Sequence, residues 1–371
     1  MRALLPLVGA LATVVGIGVA VNVASGAGPQ PEDRITALSH RAERLRGLTL
    51  LRPVAVEHVQ RKTLRERIAK EIAAEDDPDL PGSEAGLRLL GMLDANDSLA
   101  DVYSDGFADS ILGFYDPETK KLSLVETGDV EASGATIVHE LVHAVQDQVF
   151  DLESGLLAPS DDDDAALAGR ALVEGDATEV EARFLEETGL AGALGELGSG
   201  LAHISGGTGG SSGPDIPYLS RLSGFPYGAG FAFVTALRTR GGQALVDRAF
   251  AHPPHTTLAV LDPDRFDTPL DVTEPVTMPA PTDGMERIFA TQFGAADVLA
   301  MVDDMDAALA WRGGRLVVDR SLDRGTLTLR IRTEKPGRTA KLLRAEIPAN
   351  VTVTVAGRQV TLTASGELPT L

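Results

Sequence analysis

Apolar positions along the chain change period several times, and each change predicts an element. In "ITALSHRAERLRGL" (35–48) they recur at helical spacing, whereas "RPVAVEHV" (52–59) alternates like a strand. "TLRERIAKEIAAE" (63–75) is an amphipathic helix stopped by "DDPDLPG", and "SEAGLRLLGML" (83–93) is a shorter one. "ILGFYDPETKKLSLVE" (111–126) reads as two strands joined at an Asp-Pro turn. A helix over 135–150 follows, then the loop "SGLLAPSDDDD" (154–164) and a long helix over 165–187. The Gly/Ser-rich stretch 195–217 is a surface loop or a lid. Helices over 226–242 and 243–251 end at Pro253 and Pro254. A proline-punctuated connection (263–283) leads to a last section whose end is β-rich: "GRLVVDR", "GTLTLRIRT" and "NVTVTVAGRQVTLTA". The pattern predicts an α+β protein with no internal repeat.

Composition narrows the function classes. The 371 residues suffice for one large domain or two modest ones, and 43% apolar residues can build a core. The net charge of −21, with no basic cluster to offset it, argues against nucleic acid or an anionic membrane surface as a partner. The chain has no cysteine, so any metal must be held by His, Asp or Glu. The amino terminus "MRALLPLVGALATVVGIGVAVNVASGAGPQPEDR" places one Arg before an apolar run from Ala3 to about Val21. This pattern predicts an export signal, with Ser25-Gly26-Ala27 as an acceptable cleavage site. The run is also nearly long enough for an uncleaved membrane anchor. Either way the folded part is expected outside the cytoplasm, secreted or anchored by residues 1–27.

Candidate chemistry centres on "ATIVHELVHAVQDQ" (135–148). His139 and His143 are four apart, so a helix sets them one turn above each other on one face. Val138, Leu141, Val142, Val145 and Val149 form an apolar stripe, which turns the His/Glu face along the rim of the core. HExxH is the zinc-peptidase pattern: two neutral imidazoles ligate Zn²⁺, and Glu140 takes a proton from the water that the metal activates. A catalytic zinc site needs a third protein ligand. Downstream, "ALVEGDATEVE" (171–181) sets Glu174 beside the stripe Val173, Ala177, Val180 and Phe184. Asp176 and the Asp161–Asp164 run are the other carboxylates in reach.

With these residues the sequence resembles the gluzincin metallopeptidases, whose third ligand is a Glu on a later helix, often within EGxA. "GFYDPETKKLSLV", "HELVHAVQDQVFDL", "ALVEGDAT", "FPYGAGFAFVTALRTRGG" and "LDPDRF" are similar to one exported bacterial group of that type. The similarity covers roughly residues 40–270. It implies a zincin-like catalytic domain over 28–270, with a small sheet whose edge strand lies over the HExxH helix and a mostly helical second half. A β-rich section over 271–371 follows. It also implies His139, His143 and Glu174 as zinc ligands, Glu140 as general base, and a peptide or protein substrate pairing with the edge strand.

Tyr227 is the preferred donor to the developing oxyanion; His255 stands where the group usually shows a hydroxyl residue. Asp147 or Asp176 is expected to orient an imidazole. The Asp161–Asp164 run can be read as a calcium site or, more simply, as carboxylates that cap a helix, with Asp164 or a neighbour as the cap. His40, His58, His203 and His252 have no partners at ligand spacing and are expected at the surface or in packing. Trp311 in "AWRGGR" resembles a Trp-Gly-Gly segment late in the group, which the sequence departs from at Arg315. An aminopeptidase or other amide hydrolase on the same scaffold ranks second among enzymes, since nothing resembles a motif for capturing a free amino terminus. A non-catalytic zinc-containing envelope binding module is the reading from another class.

Overall fold

The computed structural model describes residues 31–63, 79–99, 102, 113–126, 134–158, 160–189 and 216–369. The expected export signal, nearly all of the helix at 63–75, His203 and the Gly/Ser-rich stretch up to residue 215 lie outside them. Among the described residues no helix is long and apolar enough to cross a membrane.

The chain is a mixed α and β protein. Helix α1 (Pro31–Arg46) ends at Gly47, whose φ of +78° lies in the left-handed region that glycine adopts without strain. Strand β1 (Ala55–Gln60) follows, then helix α2 (Leu80–Leu89) and the hairpin β2 (Gly113–Asp116) and β3 (Lys121–Glu126). The hairpin forms where the sequence places it, with the Asp116 carboxylate accepting the N–H groups of Glu118 and Thr119 to close the turn. β3 is central in a three-stranded sheet of order β1-β3-β2, parallel to β1 and antiparallel to β2. Among the described residues that order leaves β2 at an edge.

Helix α3 (Gly134–Phe150) carries the HExxH motif and α4 (Asp163–Glu187) carries Glu174. Asp162 caps α4 by accepting the Ala165 N–H at 3.1 Å, so the cap falls on a neighbour of Asp164. Side chains of α1, β3, α3 and α4 share one apolar core that includes Leu45, Leu122, Val138, Leu141 and Val180. Burial of α3 exceeds the stripe read from sequence: every residue from Ala135 to Asp147 is buried, the His/Glu face included. Val149 instead is 39% exposed, because the last turn of the helix emerges from its cover.

Helix α5 (Pro217–Ala251) runs 35 residues where two helices from 226 are expected. Pro226 reads as a helix start but lies inside, and the expected break survives as Gly242, at φ 65° and ψ −163°. A second core joins α4 and α5 to α6 (Thr257–Leu261) and α7 (Ala295–Val302). The carboxy-terminal section contains β4 (Glu286–Gln292), α8 (Met305–Leu309), β5 (Trp311–Arg320), β6 (Arg324–Thr333), α9 (Pro336–Glu346), β7 (Thr352–Ala356) and β8 (Gln359–Glu367). Its strands form an antiparallel sheet of order β4-β5-β6-β8-β7. A third core packs Trp311, Val318, Leu327, Leu329 and Leu362 of this sheet against Ala85 and Leu89 of α2, so residues from both sides of position 270 share one apolar cluster. Trp311 is a core residue here, its indole N–H donating to the Phe293 carbonyl at 2.9 Å.

Candidate metal centre

Helical spacing brings His139 and His143 together on α3, and the packing of α4 across α3 adds Glu174. The two imidazole Nε2 atoms are 3.1 Å apart. Glu174 Oε2 lies 3.4 Å from His139 Nε2 and 3.3 Å from His143 Nε2. All three residues are buried, and together they form a group that could hold a metal ion. Glu174 Oε2 accepts no hydrogen bond although it is fully enclosed. Each Nδ1 faces an oxygen acceptor: His139 meets Glu181 Oε2 at 3.2 Å and His143 meets Gln146 Oε1 at 2.9 Å. An Nδ1 proton donated to each acceptor leaves, in the neutral imidazoles, two Nε2 lone pairs that converge on a carboxylate oxygen. Three acceptors facing one another in a buried space repel unless a cation lies among them.

Close contact between α4 and α5 delivers the fourth wall. A Cβ on Gly175 would lie 2.2 Å from the Gly230 carbonyl carbon, so the two backbones touch where neither residue has a side chain. One turn before Gly230, Tyr227 stacks on His139 with ring centroids 6.5 Å apart. Burial, with Glu174 and Glu140 nearby, holds its hydroxyl well above the usual phenol range, so Tyr227 remains a proton donor.

Glu140 is buried and sits beside the edge strand: the Tyr115 N–H of β2 donates to Glu140 Oε2 at 2.7 Å. Burial pushes its carboxyl up to about 7, against the pull of the two imidazoles and that N–H. Burial lowers both imidazoles, but at His139 the adjoining Glu174 and Glu181 carboxylates outweigh it, and at His143 the charge of Glu174 does. Both therefore titrate above the ordinary histidine value. Glu174 is lowered in turn, its burial outweighed by His143 and His139. Protons and a metal ion thus compete for the same lone pairs.

Asp147 does not orient an imidazole. It accepts the Tyr115 hydroxyl at 2.8 Å and lies 3.1 Å from Lys120 Nζ, which clamps the hairpin onto α3. Asp176 reaches His143 only through Gln146, whose Nε2 donates to Asp176 Oδ2 at 2.8 Å. The direct partners of the imidazoles, Gln146 and Glu181, escape a reading confined to Asp147 and Asp176. Their spacing holds the clue: Gln146 follows His143 by three residues, and Glu181 follows Glu174 by two turns.

His255 is exposed at the start of α6, its N–H on Asp271, and is not part of the metal group. His40, His58 and His252 are exposed as well. Of the Asp161–Asp164 run, Asp162 caps α4, Asp163 accepts the Thr291 hydroxyl and Asp164 accepts the Thr257 hydroxyl. The run meets the carboxy-terminal section through Thr291 and α6 through Thr257, and among the described residues it forms no second metal group. The chain matches no protein-family model, no curated protein and no solved structure.

Proposed function

We propose that the protein is an exported zinc-dependent metallopeptidase, in which His139, His143 and Glu174 hold the ion and Glu140 is the general base. The observation that carries this reading is the convergence of two imidazole Nε2 atoms and a carboxylate oxygen beside a second buried carboxylate. Their separations of 3.1, 3.3 and 3.4 Å fit a small tetrahedral ion such as zinc. A tetrahedron with metal–ligand bonds of about 2.0 Å has edges of about 3.3 Å. Three protein ligands on one face leave a fourth position for water or substrate.

When bound, Zn²⁺ would supply Lewis acidity and lower the pKa of a water at neutral pH. Glu140 takes the proton of the attacking water and is placed to pass it to the leaving amine. Tyr227, neutral and beside Glu174, is the donor available to the oxyanion. An extended peptide backbone pairs along β2, the edge strand that also holds Glu140 through Tyr115. The edge strand beside the motif helix, with two further helices closing the site, supports a zincin-like catalytic unit. The apolar amino-terminal run supports a secreted or membrane-anchored location outside the cytoplasm.

Near-complete burial of the triad favours a second reading, a zinc-containing envelope binding module without turnover. Glu140→Gln separates the two, because Gln keeps the shape and the hydrogen bond while deleting the basic carboxylate. Metal analysis and cleavage of a mixed peptide library should give about one zinc per chain in both proteins. Hydrolysis should fall by about 10²–10⁴-fold in the variant. Equal turnover at equal zinc content would sink the hydrolase reading and leave the binding module.

A further inference from the structure

We infer that Gln146 is a positioning residue for the metal centre: it holds His143 in the tautomer that presents a bare Nε2, and a buried Asp176–Arg46 pair locks Gln146 in the orientation that does so. The inference rests on the metal reading proposed above and concerns how this chain's own residues prepare the site.

A Gln side chain has one acceptor oxygen and one nitrogen with two donors, and exchanging them inverts what it asks of a neighbour. If the nitrogen of Gln146 faced His143 Nδ1, that atom would have to accept, and the proton would move to Nε2, where a metal must bind. The surroundings forbid the exchange. Gln146 Nε2 lies 3.1 Å from the Val173 carbonyl and 2.8 Å from Asp176 Oδ2, and neither of these oxygens can donate. Both N–H bonds are therefore committed, and Oε1 is left to face His143 Nδ1 at 2.9 Å. A backbone carbonyl of α4, one residue before Glu174, thereby sets the protonation of an imidazole on α3.

The Asp176 carboxylate is itself held in place by Arg46. Arg46 Nε donates to the same Asp176 oxygen, both side chains are fully buried, and Arg46 Nη1 donates to Asp247 Oδ1 at 2.7 Å. Phe250 stacks under the guanidinium, 5.3 Å from its ring centroid. A buried ion pair of this kind is weak evidence of stabilisation, since the desolvation of both ions offsets much of their attraction. Nor does Asp176 touch any imidazole itself. Its place at the end of a hydrogen-bonded chain to His143 gives the pair a use. Residues on α1, α3, α4 and α5 are thereby committed to one proton position.

Two variants of the full-length chain test this, with zinc affinity read by competition against a chromophoric chelator and thermal unfolding read without metal. Gln146→Met keeps length but accepts nothing from Nδ1, so zinc affinity should fall about 10- to 100-fold. Gln146→Glu keeps an acceptor for Nδ1–H but cannot donate to Val173 and sets a second carboxylate against Asp176. It should retain most of the affinity while losing more metal-free stability than Gln146→Met. Affinity should therefore rank wild type, Glu, Met, and stability should rank wild type, Met, Glu. A residue with a packing role alone gives the same ranking in both measurements, and that outcome overturns the inference. So does wild-type zinc affinity in Gln146→Met. If the wild type itself takes up no zinc, the metal reading fails and the inference falls with it; loss confined to the ranking leaves the metal reading standing.

Discussion

Asp164→Asn is a nearly isosteric change whose effect should depend on pH. The Asp164 carboxyl is 3% exposed. Its Oδ1 accepts the Thr257 N–H at 3.2 Å and the Thr257 hydroxyl, while Oδ2 has no partner. Burial, opposed in part by the Thr257 hydroxyl, pushes it up to about 8. In the unfolded chain an Asp titrates near about 3.9. Between those values the folded state keeps a proton that the unfolded state has released, so stability falls as pH rises. The slope approaches about 1.4 kcal/mol per pH unit for one proton, and it flattens once the folded carboxyl ionises near pH 8. Asn cannot ionise, keeps the acceptor facing Thr257 and places an N–H₂ where the protonated oxygen stood. The variant should therefore gain on the wild type with rising pH, by about 4 kcal/mol between about pH 5 and 8. Urea unfolding of both proteins across that range measures the gap, and slopes common to both, from Asp163 and Asp297, cancel in the difference. A gap independent of pH, or a wild type ahead at pH 8, would refute the protonated, buried Asp164.

Gly175→Ala puts a methyl 2.2 Å from the Gly230 carbonyl carbon and must push α4 from α5. Overpacking of about 1–3 kcal/mol should exceed the gain of about 1 kcal/mol from helix propensity, and the displaced Glu174 should weaken zinc binding in the same titration. Tyr115→Phe leaves the buried Asp147 without its hydroxyl donor and should cost about 1–3 kcal/mol in denaturant unfolding with zinc affinity unchanged. Zinc at about a thousandfold over its Kd should stabilise the wild type by about 4 kcal/mol and raise its Tm, while His139→Ala should show little shift.

The two helices of the centre are legible because their signals are local. Two histidines four apart declare a shared face, and the acids before α4 declare its start, although the cap is Asp162. The boundaries of α5 are less legible: Pro226 reads as a helix start, whereas the helix begins at Pro217. Strand β4 alternates weakly, and its place follows from pairing with β5, a contact between distant segments. The same distinction divides the site. Gln146 and Glu181 lie on faces the spacing already identifies. Arg46, 130 residues from its partner Asp176, carries no local mark, since only the packing of α1 brings the two together.

Burial of the triad also bears on how fast an ion would come and go. With His139 2% and Glu174 3% exposed, a chelator in solution meets no ligand atom until the packing around α3 opens. Displacing those ligands, unlike reaching the fourth position of the ion, then becomes a gated event whose rate is set by a local opening equilibrium and not by the strength of the competing ligand. Raising the chelator concentration should accelerate loss only up to a ceiling, the opening rate itself. A centre of this kind can be thermodynamically modest and still hold its ion through long dilution, a kinetic retention that the ligand separations alone do not reveal.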